Sequence, residues 1–197
     1  MNIREILKQP LVYQTFQRLG GFFSARLKAI QAHLPLNEGD KVLDIGCGPG
    51  FIVNYMPKGI SYYGFDIDKH YIAYANAKFG HKGRFICGFF NEDTASQYRE
   101  ADIVMMNGVL HHLTDEEVDQ TLCVIKKALK PGGRLFTLDG CFVEGQSVLA
   151  HMLLKYDRGN YVRTQDHYRS LIIKHFDLVD VHVENSLSWV PYTWIIM

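Results

Sequence analysis

The sequence predicts an α/β domain built on a mostly parallel sheet, and three observations lead to that fold class. An apolar run at residues 42–45, interrupted only by Asp44, ends in a glycine-rich turn. Its hydrophobicity is typical of a parallel strand covered on both faces. Further short runs at residues 60–65, 84–88, 101–106 and 135–138 are the predicted second to fifth strands. They alternate with helical segments, one of them after a capping box at Thr114–Glu117, as in βαβ units. With 197 residues, 47% of them hydrophobic, the chain suits one domain with a sizeable core.

Composition narrows the possible function classes. Lys plus Arg and Asp plus Glu both total 21, so the formal net charge is +0, and no global field attracts nucleic acid or an anionic membrane. The four cysteines form no C-x-x-C pair, and no signal peptide or membrane-length apolar run is recognisable. We therefore expect a soluble, cytoplasmic protein with reduced thiols and without a nucleic-acid or membrane partner.

The glycine-rich turn after the first strand is the predicted ligand site. Gly46, Gly48 and Gly50 tolerate positive φ and carry no Cβ, so a ligand can lie against the backbone. Nucleotides bind at this end of a strand in α/β folds. The dinucleotide fingerprint requires glycine at the sixth position, which is Phe51 here, and no P-loop Lys-Ser/Thr pair follows. Asp44 beside the turn is unfavourable for a pyrophosphate but suits an ammonium or sulfonium group.

The segment Val42–Gly50, with its Asp-x-Gly-x-Gly-x-Gly pattern, resembles motif I of the class I S-adenosylmethionine-dependent methyltransferases. The resemblance covers residues 41–139, including the end of the fourth strand and the run Leu129–Asp139. It implies a Rossmann-like, seven-stranded, mostly parallel sheet with helices on both faces and a terminal antiparallel hairpin. It also implies S-adenosylmethionine as the cofactor and a small-molecule acceptor.

The same resemblance assigns the cofactor contacts. Asp44 would hold the methionine part, and Asn107 and Gly108 lie where that part would pass. Asp66, about twenty residues beyond the first glycine, is placed to accept both ribose hydroxyls, whereas Asp68 is expected to cap the next helix. The predicted cofactor-binding set is Asp44, Gly46, Cys47, Gly48, Gly50, Asp66, Ile67, Phe89, Phe90, Asn107 and Gly108.

Adenine recognition departs from the family pattern. Family members often carry an acid just after the third strand, where this sequence has Phe89-Phe90. Packing of the adenine on Ile67, stacking on an aromatic ring, backbone groups, or Asn91 and Glu92 are the alternatives. Both phenylalanines fit equally well as plain core residues.

The pair His111-His112 follows the fourth strand. Adjacent histidines point in different directions, and no further side chain with ligand spacing accompanies them, so we predict no metal site. A histidine can deprotonate a hydroxyl near neutral pH, and His112 is the catalytic candidate. Hydrogen bonding of the imidazole to the surrounding loop is the structural alternative. Residues 107–110 lack the Asp/Asn-Pro-Pro-aromatic signature of amino-base methyltransferases, which argues against methylation of DNA bases.

The acceptor is expected to lie against segments outside the cofactor core at residues 41–139. These are a helical cap at residues 1–33, which either packs plainly or acts as a lid, and an insertion at residues 140–175. A terminal hairpin at residues 176–197, with strands predicted over residues 178–183 and 192–196, completes the domain. Guanidinium groups in the insertion suit an acceptor carboxylate or phosphate, although an arginine paired with Asp157 in a surface loop fits as well. The predicted acceptor-binding set is Tyr13, Phe16, Tyr156, Arg158, Tyr161 and Arg163.

These features predict an enzyme that transfers a methyl group from S-adenosylmethionine to a small molecule. The sulfonium already activates the methyl group, so alignment of the acceptor can supply ~7–11 kcal/mol of barrier lowering. Two alternatives stay open: a non-catalytic S-adenosylmethionine-binding module, and an NAD(P)-dependent oxidoreductase, which Phe51 disfavours. The acceptor atom and the oligomeric state do not follow from the sequence.

Overall fold

The computed structural model describes residues 20–157 and 159–197, so the predictions for Tyr13, Phe16 and Arg158 lie outside the described residues. In chain order its elements are α1 (Phe22–His33), β1 (Lys41–Ile45), a 3-10 turn (Phe51–Tyr55), β2 (Ser61–Asp66), α2 (Lys69–Phe79), β3 (Arg84–Cys87), α3 (Glu92–Gln97), β4 (Ala101–Asn107), a second 3-10 turn (Leu110–His112), α4 (Asp115–Ala128), β5 (Leu129–Phe142), α5 (Val148–Lys155), β6 (Arg163–Thr164), α6 (Gln165–Ile172), β7 (His182–Glu184) and β8 (Trp194–Ile196).

The sheet confirms the predicted fold class. Its strand order is β3-β2-β1-β4-β5-β8-β7, and the two-residue β6 pairs with β5 off this path. Strands β1 to β5 are parallel to one another, whereas β8 runs antiparallel to both β5 and β7. The last strand is therefore inserted antiparallel into the sheet, as expected.

The register of the central strands brings three polar residues to one edge of the sheet. Ile45, the last residue of β1, pairs with Phe65 on one side and with Met106 on the other. Asp66 and Asn107 follow those two partners directly, while Asp44 lies one residue inside the edge. The carboxyl ends of parallel strands thus gather these side chains beside the glycine turn, where α/β sheets bind ligands.

Apolar residues on both faces of the sheet explain the unbroken hydrophobicity of β1 and β4. Val42 and Met105 belong to the core on the face covered by α1 and α2, whereas Leu43 and Val104 belong to the core on the face covered by α4 and α6. All four side chains are fully buried. Central strands covered in this way need no polar alternation.

Local capping signals in the sequence are confirmed. Thr114 and Glu117 form a reciprocal capping box at the start of α4, with Thr114 Oγ1 accepting from the Glu117 N–H and Glu117 Oε2 accepting from the Thr114 N–H. Asp68 caps α2 by accepting from the N–H groups of His70 and Tyr71. The sequence alone was sufficient here because each cap depends on residues two or three positions apart.

Three element boundaries differ from the predictions. Strand β5 begins at Leu129 rather than near Leu135, because Leu129 already pairs with Ala101 of β4. A register shift between Ala101 and Ile103 then accommodates the glycine turn within β5. The strand predicted over residues 178–183 forms only at His182–Glu184, and Leu178 is 94% exposed. Helix α3 was not predicted at all. Among the described residues, none of the helices combines the length and the apolar character that a bilayer crossing requires.

Candidate active site

The three glycines of the turn after β1 differ in what surrounds them. All have positive φ, with values of 74° at Gly46, 55° at Gly48 and 75° at Gly50. A Cβ at Gly46 would lie 2.5 Å from a methyl group of Val109, and one at Gly50 would lie 2.6 Å from the Phe85 ring. Gly48 has nothing within 4 Å of that position. Two of the glycines therefore allow close packing within the protein, and only Gly48 borders open space.

Asp44 is a fully buried carboxylate with one unpartnered oxygen. Its Oδ2 accepts a 2.5 Å hydrogen bond from the Tyr62 hydroxyl, while Oδ1 has no hydrogen-bond partner among the described residues. The side chain of Asn107 is buried next to it, and neither its amide nitrogen nor its oxygen has a partner within the described part of the chain. Unsatisfied buried polar atoms are costly, so a cluster of three points to a ligand that completes them.

Burial raises the pKa of Asp44 to about 6, against the opposing effects of the Tyr62 hydrogen bond, the Arg26 charge and Asn107. Arg26, on α1, also approaches Gly108, the glycine directly after β4: its Nη2 lies 3.5 Å from a Cβ built on Gly108. A carboxylate, an amide and a guanidinium thus surround the same corner. Such a set fits a zwitterionic ligand group, with an ammonium for Asp44 and a carboxylate for Arg26.

Asp66 connects β2 to the glycine turn. Its Oδ2 accepts from the Gly48 N–H and its Oδ1 accepts from the Asp68 N–H, each at 2.8 Å. Burial raises its pKa, while these backbone hydrogen bonds act to lower it. An ionised carboxylate has about four acceptor positions, so each oxygen can still accept one hydroxyl. The arrangement suits the two hydroxyls of a ribose.

The apolar residues predicted near the adenine fall into two groups. Ile67 and Phe89 follow the paired strands β2 and β3 and are 63% and 73% exposed, which is unusual for side chains of this size. Phe90 instead lies in the core, with its ring 5.1 Å from that of Phe65. The Cys47 side chain is also buried, and its Sγ lies 2.8 Å from a Cβ built on Gly64. Exposed Ile67 and Phe89 are therefore the side chains available to a ligand ring.

His111 is held between two carboxylates. Its Nδ1 is 2.6 Å from Asp139 Oδ1, and its Nε2 is 3.4 Å from Asp157 Oδ1. Burial acts to lower the pKa of His111, but the hydrogen bond and charge of Asp139, together with Asp157, outweigh it and raise the pKa. The catalytic candidate from the sequence, His112, is exposed, with its ring 4.2 Å from that of His111.

Arg163, predicted to bind the acceptor, is 5% exposed and is held by groups of the protein itself. Nε donates to Asp115 Oδ1, Nη1 donates to the carbonyls of Leu110 and Tyr161, and Nη2 donates to the carbonyl of Leu113. Nη2 also forms an ion pair with Asp115 at 2.7 Å. The guanidinium therefore clamps the turn that carries His111.

The two tyrosines predicted to contact the acceptor are accessible. Tyr156 is 75% exposed and Tyr161 is 40% exposed, with the Arg163 guanidinium 5.9 Å from the Tyr161 ring. Tyr161 also lines an open cleft of about 730 Å³ beside the start of α4, together with Phe142 and His167. That cleft contains none of the residues around Asp44 or Asp66.

The profile of a family described as "Methyltransferase domain" matches residues 42–133, which run from β1 to the glycine turn within β5. Together with the methyltransferases among the relatives and solved structures below, this match supports a class I S-adenosylmethionine-dependent methyltransferase.

Two curated relatives illustrate the similarity. The chain is 31% identical over 125 residues to a ubiquinone biosynthesis O-methyltransferase of Idiomarina loihiensis, a match covering 61% of this chain and 51% of that protein. It is 29% identical over 124 residues to a phosphoethanolamine N-methyltransferase of Plasmodium falciparum, covering 61% of this chain and 46% of the relative. The chain thus spans about half the length of these relatives.

Solved structures show the same fold. A TehB-like S-adenosylmethionine-dependent methyltransferase from Corynebacterium glutamicum superposes with a TM-score of 0.59 at 21% identity, covering 87% of this chain and 85% of the other. Human N-acetylserotonin methyltransferase, solved with S-adenosylmethionine, superposes with a TM-score of 0.65 at 20% identity, and the match covers 94% of this chain and 53% of the human chain.

Sequence reasoning missed four residues of the site: Arg26, His111, Asp139 and Asp157. Asp139 and Asp157 lie 28 and 46 positions from His111 in the chain, and Arg26 lies on a helix that only tertiary packing brings to β4. No local pattern marks such residues. A histidine pair after β4 was visible, but which of the two rings is buried depends on these distant partners.

Proposed function

We propose that this protein transfers a methyl group from S-adenosylmethionine to a hydroxyl or amine of a small-molecule acceptor. The observation that carries the proposal is the group of unpartnered buried atoms at Asp44 Oδ1 and the Asn107 amide, beside a turn opened by Gly48. An α-ammonium group would supply the missing donors to both residues. A phosphate would not, because it would meet the Asp44 carboxylate.

The remaining cofactor contacts follow from the same geometry. Arg26 is placed for the methionine carboxylate, Asp66 for the ribose hydroxyls, and the exposed side chains of Ile67 and Phe89 for the faces of the adenine. When bound, S-adenosylmethionine supplies an activated methyl group. The task of the protein is then to hold the acceptor atom in line and to exclude water, which requires no metal and no protein nucleophile.

Relatives support an oxygen or nitrogen acceptor. The names of the curated relatives describe O-methylation in ubiquinone biosynthesis and N-methylation of phosphoethanolamine. Tyr161, whose backbone N–H donates to the His111 carbonyl, provides exposed aromatic surface beside the His111 turn, which suits a small and partly apolar acceptor.

Calorimetric titration tests the cofactor assignment directly. We expect binding of S-adenosylmethionine and of its demethylated product, and negligible binding of NADH or NADPH. Tight binding of a nicotinamide cofactor without either sulfur ligand would overturn the proposal. Transfer of radioactive methyl from S-adenosylmethionine to a catechol, to phosphoethanolamine and to a wider metabolite panel then distinguishes an enzyme from a binding module, because only an enzyme releases the demethylated product with turnover.

A further inference from the structure

His111 is a buried titratable residue beside Gly108, and the cofactor assignment does not use it. Its ring lies against the cofactor side of the pocket: Cε1 is 3.6 Å from a Cβ built on Gly108, which Arg26 also approaches. The opposite edge of the ring is covered by Gly159, where a Cβ would lie only 1.9 Å from Cδ2. The imidazole is therefore confined between Gly108, after β4, and Gly159, in the loop after α5.

Asp139 determines which ring nitrogen carries the proton in neutral His111. An ionised carboxylate can only accept, so at 2.6 Å from Asp139 Oδ1 the Nδ1 atom must be the donor. The same oxygen also accepts from the His111 N–H at 3.2 Å, which fixes the ring relative to its own backbone. In the neutral ring, Nε2 is left with its lone pair, as a proton acceptor requires.

Asp157 faces that lone pair from the other side. Its Oδ1 is 3.4 Å from Nε2 and accepts from the Gly159 N–H, while its Oδ2 accepts from the Tyr192 hydroxyl at 3.0 Å. A carboxylate beside a neutral nitrogen is unfavourable, but beside an imidazolium N–H it is favourable. The pair thus stabilises the form of His111 that exists after it has gained a proton.

Resting on the methyltransferase function proposed above, we propose that His111, and not His112, removes the proton from the acceptor. In that step the acceptor lone pair forms the new bond to the methyl carbon, the sulfur–methyl bond breaks with its electrons left on sulfur, and the proton goes to His111 Nε2. Asp139 and Asp157 then stabilise the imidazolium from both sides. The proton leaves through Asp157, whose side chain is 25% exposed.

This arrangement also defines the acceptor class. Asp139 and Asp157 place negative charge on two sides of the ring, so a carboxylate at the reacting end would be repelled. A hydroxyl, a phenol or an amine is compatible, because each brings a proton that Nε2 can take. The anionic group that the arginines in the sequence suggested concerns binding of the acceptor and not its reacting atom, and Arg163 is already engaged by four hydrogen bonds and an ion pair within the protein.

The charged groups that face His111 set its titration. They are Asp139 on β5, Asp157 after α5, Arg26 on α1 and the neighbouring His112. The two acids raise the pKa, whereas burial and Arg26 lower it. Because the neutral ring is the active base, turnover should rise with pH through the His111 pKa. Removing Asp157 should move that rise to lower pH.

The first test is an NMR titration of ¹⁵N-histidine-labelled protein, with the His111 signals assigned by their loss in His111→Gln. We expect a neutral form protonated on Nδ1, a pKa above the usual value, and a lower pKa in both Asp139→Asn and Asp157→Asn. A neutral form protonated on Nε2, or a pKa unaffected by both acids, would overturn the assignment. This titration tests the predicted tautomer and pKa of His111 even if neither probe acceptor is methylated.

The second test is kinetic, with a catechol and phosphoethanolamine as probe acceptors. His111→Gln should lower kcat by about a hundredfold or more, in the range of lost general-base catalysis, with calorimetric affinity for S-adenosylmethionine unchanged. His81→Gln, in an exposed turn after α2, is the matched control. An equal or larger loss in His112→Gln would overturn the proposal, whereas absent cofactor binding in the wild type would instead refute the proposed function.

Discussion

The cofactor half of the site, residues 41–108, and the acceptor half, residues 109–164, are assembled in different ways. In the cofactor half, the Tyr62–Asp44 and Gly48–Asp66 hydrogen bonds each join residues 18 positions apart and connect β1, or the turn after it, with the neighbouring strand β2. In the acceptor half, Arg163 reaches back 53 positions to the Leu110 carbonyl. The first half is built by adjacent strand registers, and the second by side chains that cross the fold. We therefore expect substitutions in the first half to change ligand affinity, and those in the second to change stability and turnover.

The largest expected effect is on cofactor affinity, in Asp66→Ala. The variant loses the acceptor for both ribose hydroxyls, and each hydrogen bond to a charged group is worth ~1.5–3 kcal/mol. The Kd for S-adenosylmethionine should rise by at least about a hundredfold in calorimetry. Asp68→Ala is the matched control, because it removes a helix cap but keeps the backbone N–H that binds Asp66. Equal losses in two folded variants would show that the ribose is read elsewhere.

Arg163→Met should have the next largest effect, on stability. The substitution removes a buried guanidinium and leaves the carbonyls of Leu110, Leu113 and Tyr161 without their donor. We expect the free energy of unfolding in urea to fall by about 2–4 kcal/mol, with turnover reduced and cofactor affinity nearly unchanged. His167→Ala removes the exposed partner of the same Asp115 and should cost little. If the two variants proved equally stable, Arg163 would not be the clamp of the His111 turn.

Asp44→Asn should separate stability from binding within the cofactor half. Because burial raises the pKa of Asp44 to about 6, the native state binds a proton more tightly than the unfolded state. Wild-type stability should therefore fall as pH rises from about 4 to about 6, and level off above that. The asparagine variant avoids this cost and should be more stable at pH 7 by about 1–3 kcal/mol, yet bind S-adenosylmethionine at least about tenfold more weakly.

Asp102→Asn is the control, because Asp102 is expected to make stability depend on pH in the opposite direction. The hydrogen bond from Lys130 lowers the pKa of Asp102, so its ionised form favours the native state. Its contribution is present above the unfolded pKa and is lost as pH falls through the lower folded pKa. Urea unfolding of both variants between pH 4 and pH 8 makes the comparison. A destabilised Asp44→Asn at pH 7 would contradict the prediction that burial of the ionised Asp44 carboxylate destabilises the native state.

The smallest predicted effect concerns a local feature inside the acceptor half. Thr114→Ala removes the capping box of α4 and should lower the free energy of unfolding by about 1 kcal/mol. Calorimetric affinity for S-adenosylmethionine should not change, since the cap touches no cofactor residue. A loss as large as that of Arg163→Met would mean that α4 depends on its cap more than on its packing.

The same contrast explains what could be predicted from the sequence. Strand patterns, short spacings and the family resemblance were enough to predict the mostly parallel sheet with its antiparallel last strand, the Asp68 cap and the edge shared by Asp44, Asp66 and Asn107. The packing of Phe90 inside the core did not follow, because the two phenylalanines look alike until the chain turns at Gly88.

Residues whose roles depend on distant partners were the least predictable. Arg163 was assigned to an acceptor because arginines often bind anions, but in the fold its guanidinium makes four hydrogen bonds and an ion pair within the protein. Similarly, contacts with Asp139 and Asp157 distinguish His111 from His112. The sequence shows which chemical group a charged residue carries, but the residue that it contacts depends on the tertiary fold.

Gly159 has a consequence for how the acceptor range of this protein can be altered by directed evolution. Any side chain at position 159 would collide with the His111 ring and with its carbonyl oxygen, 2.6 Å from the Cβ position. Asn160 and Tyr161, the next two residues, are exposed. Libraries that vary positions 160 and 161 can therefore reshape the pocket wall while the imidazole stays in place. Position 159 should stay glycine in such libraries, because every replacement would displace the His111 ring together with the pocket wall.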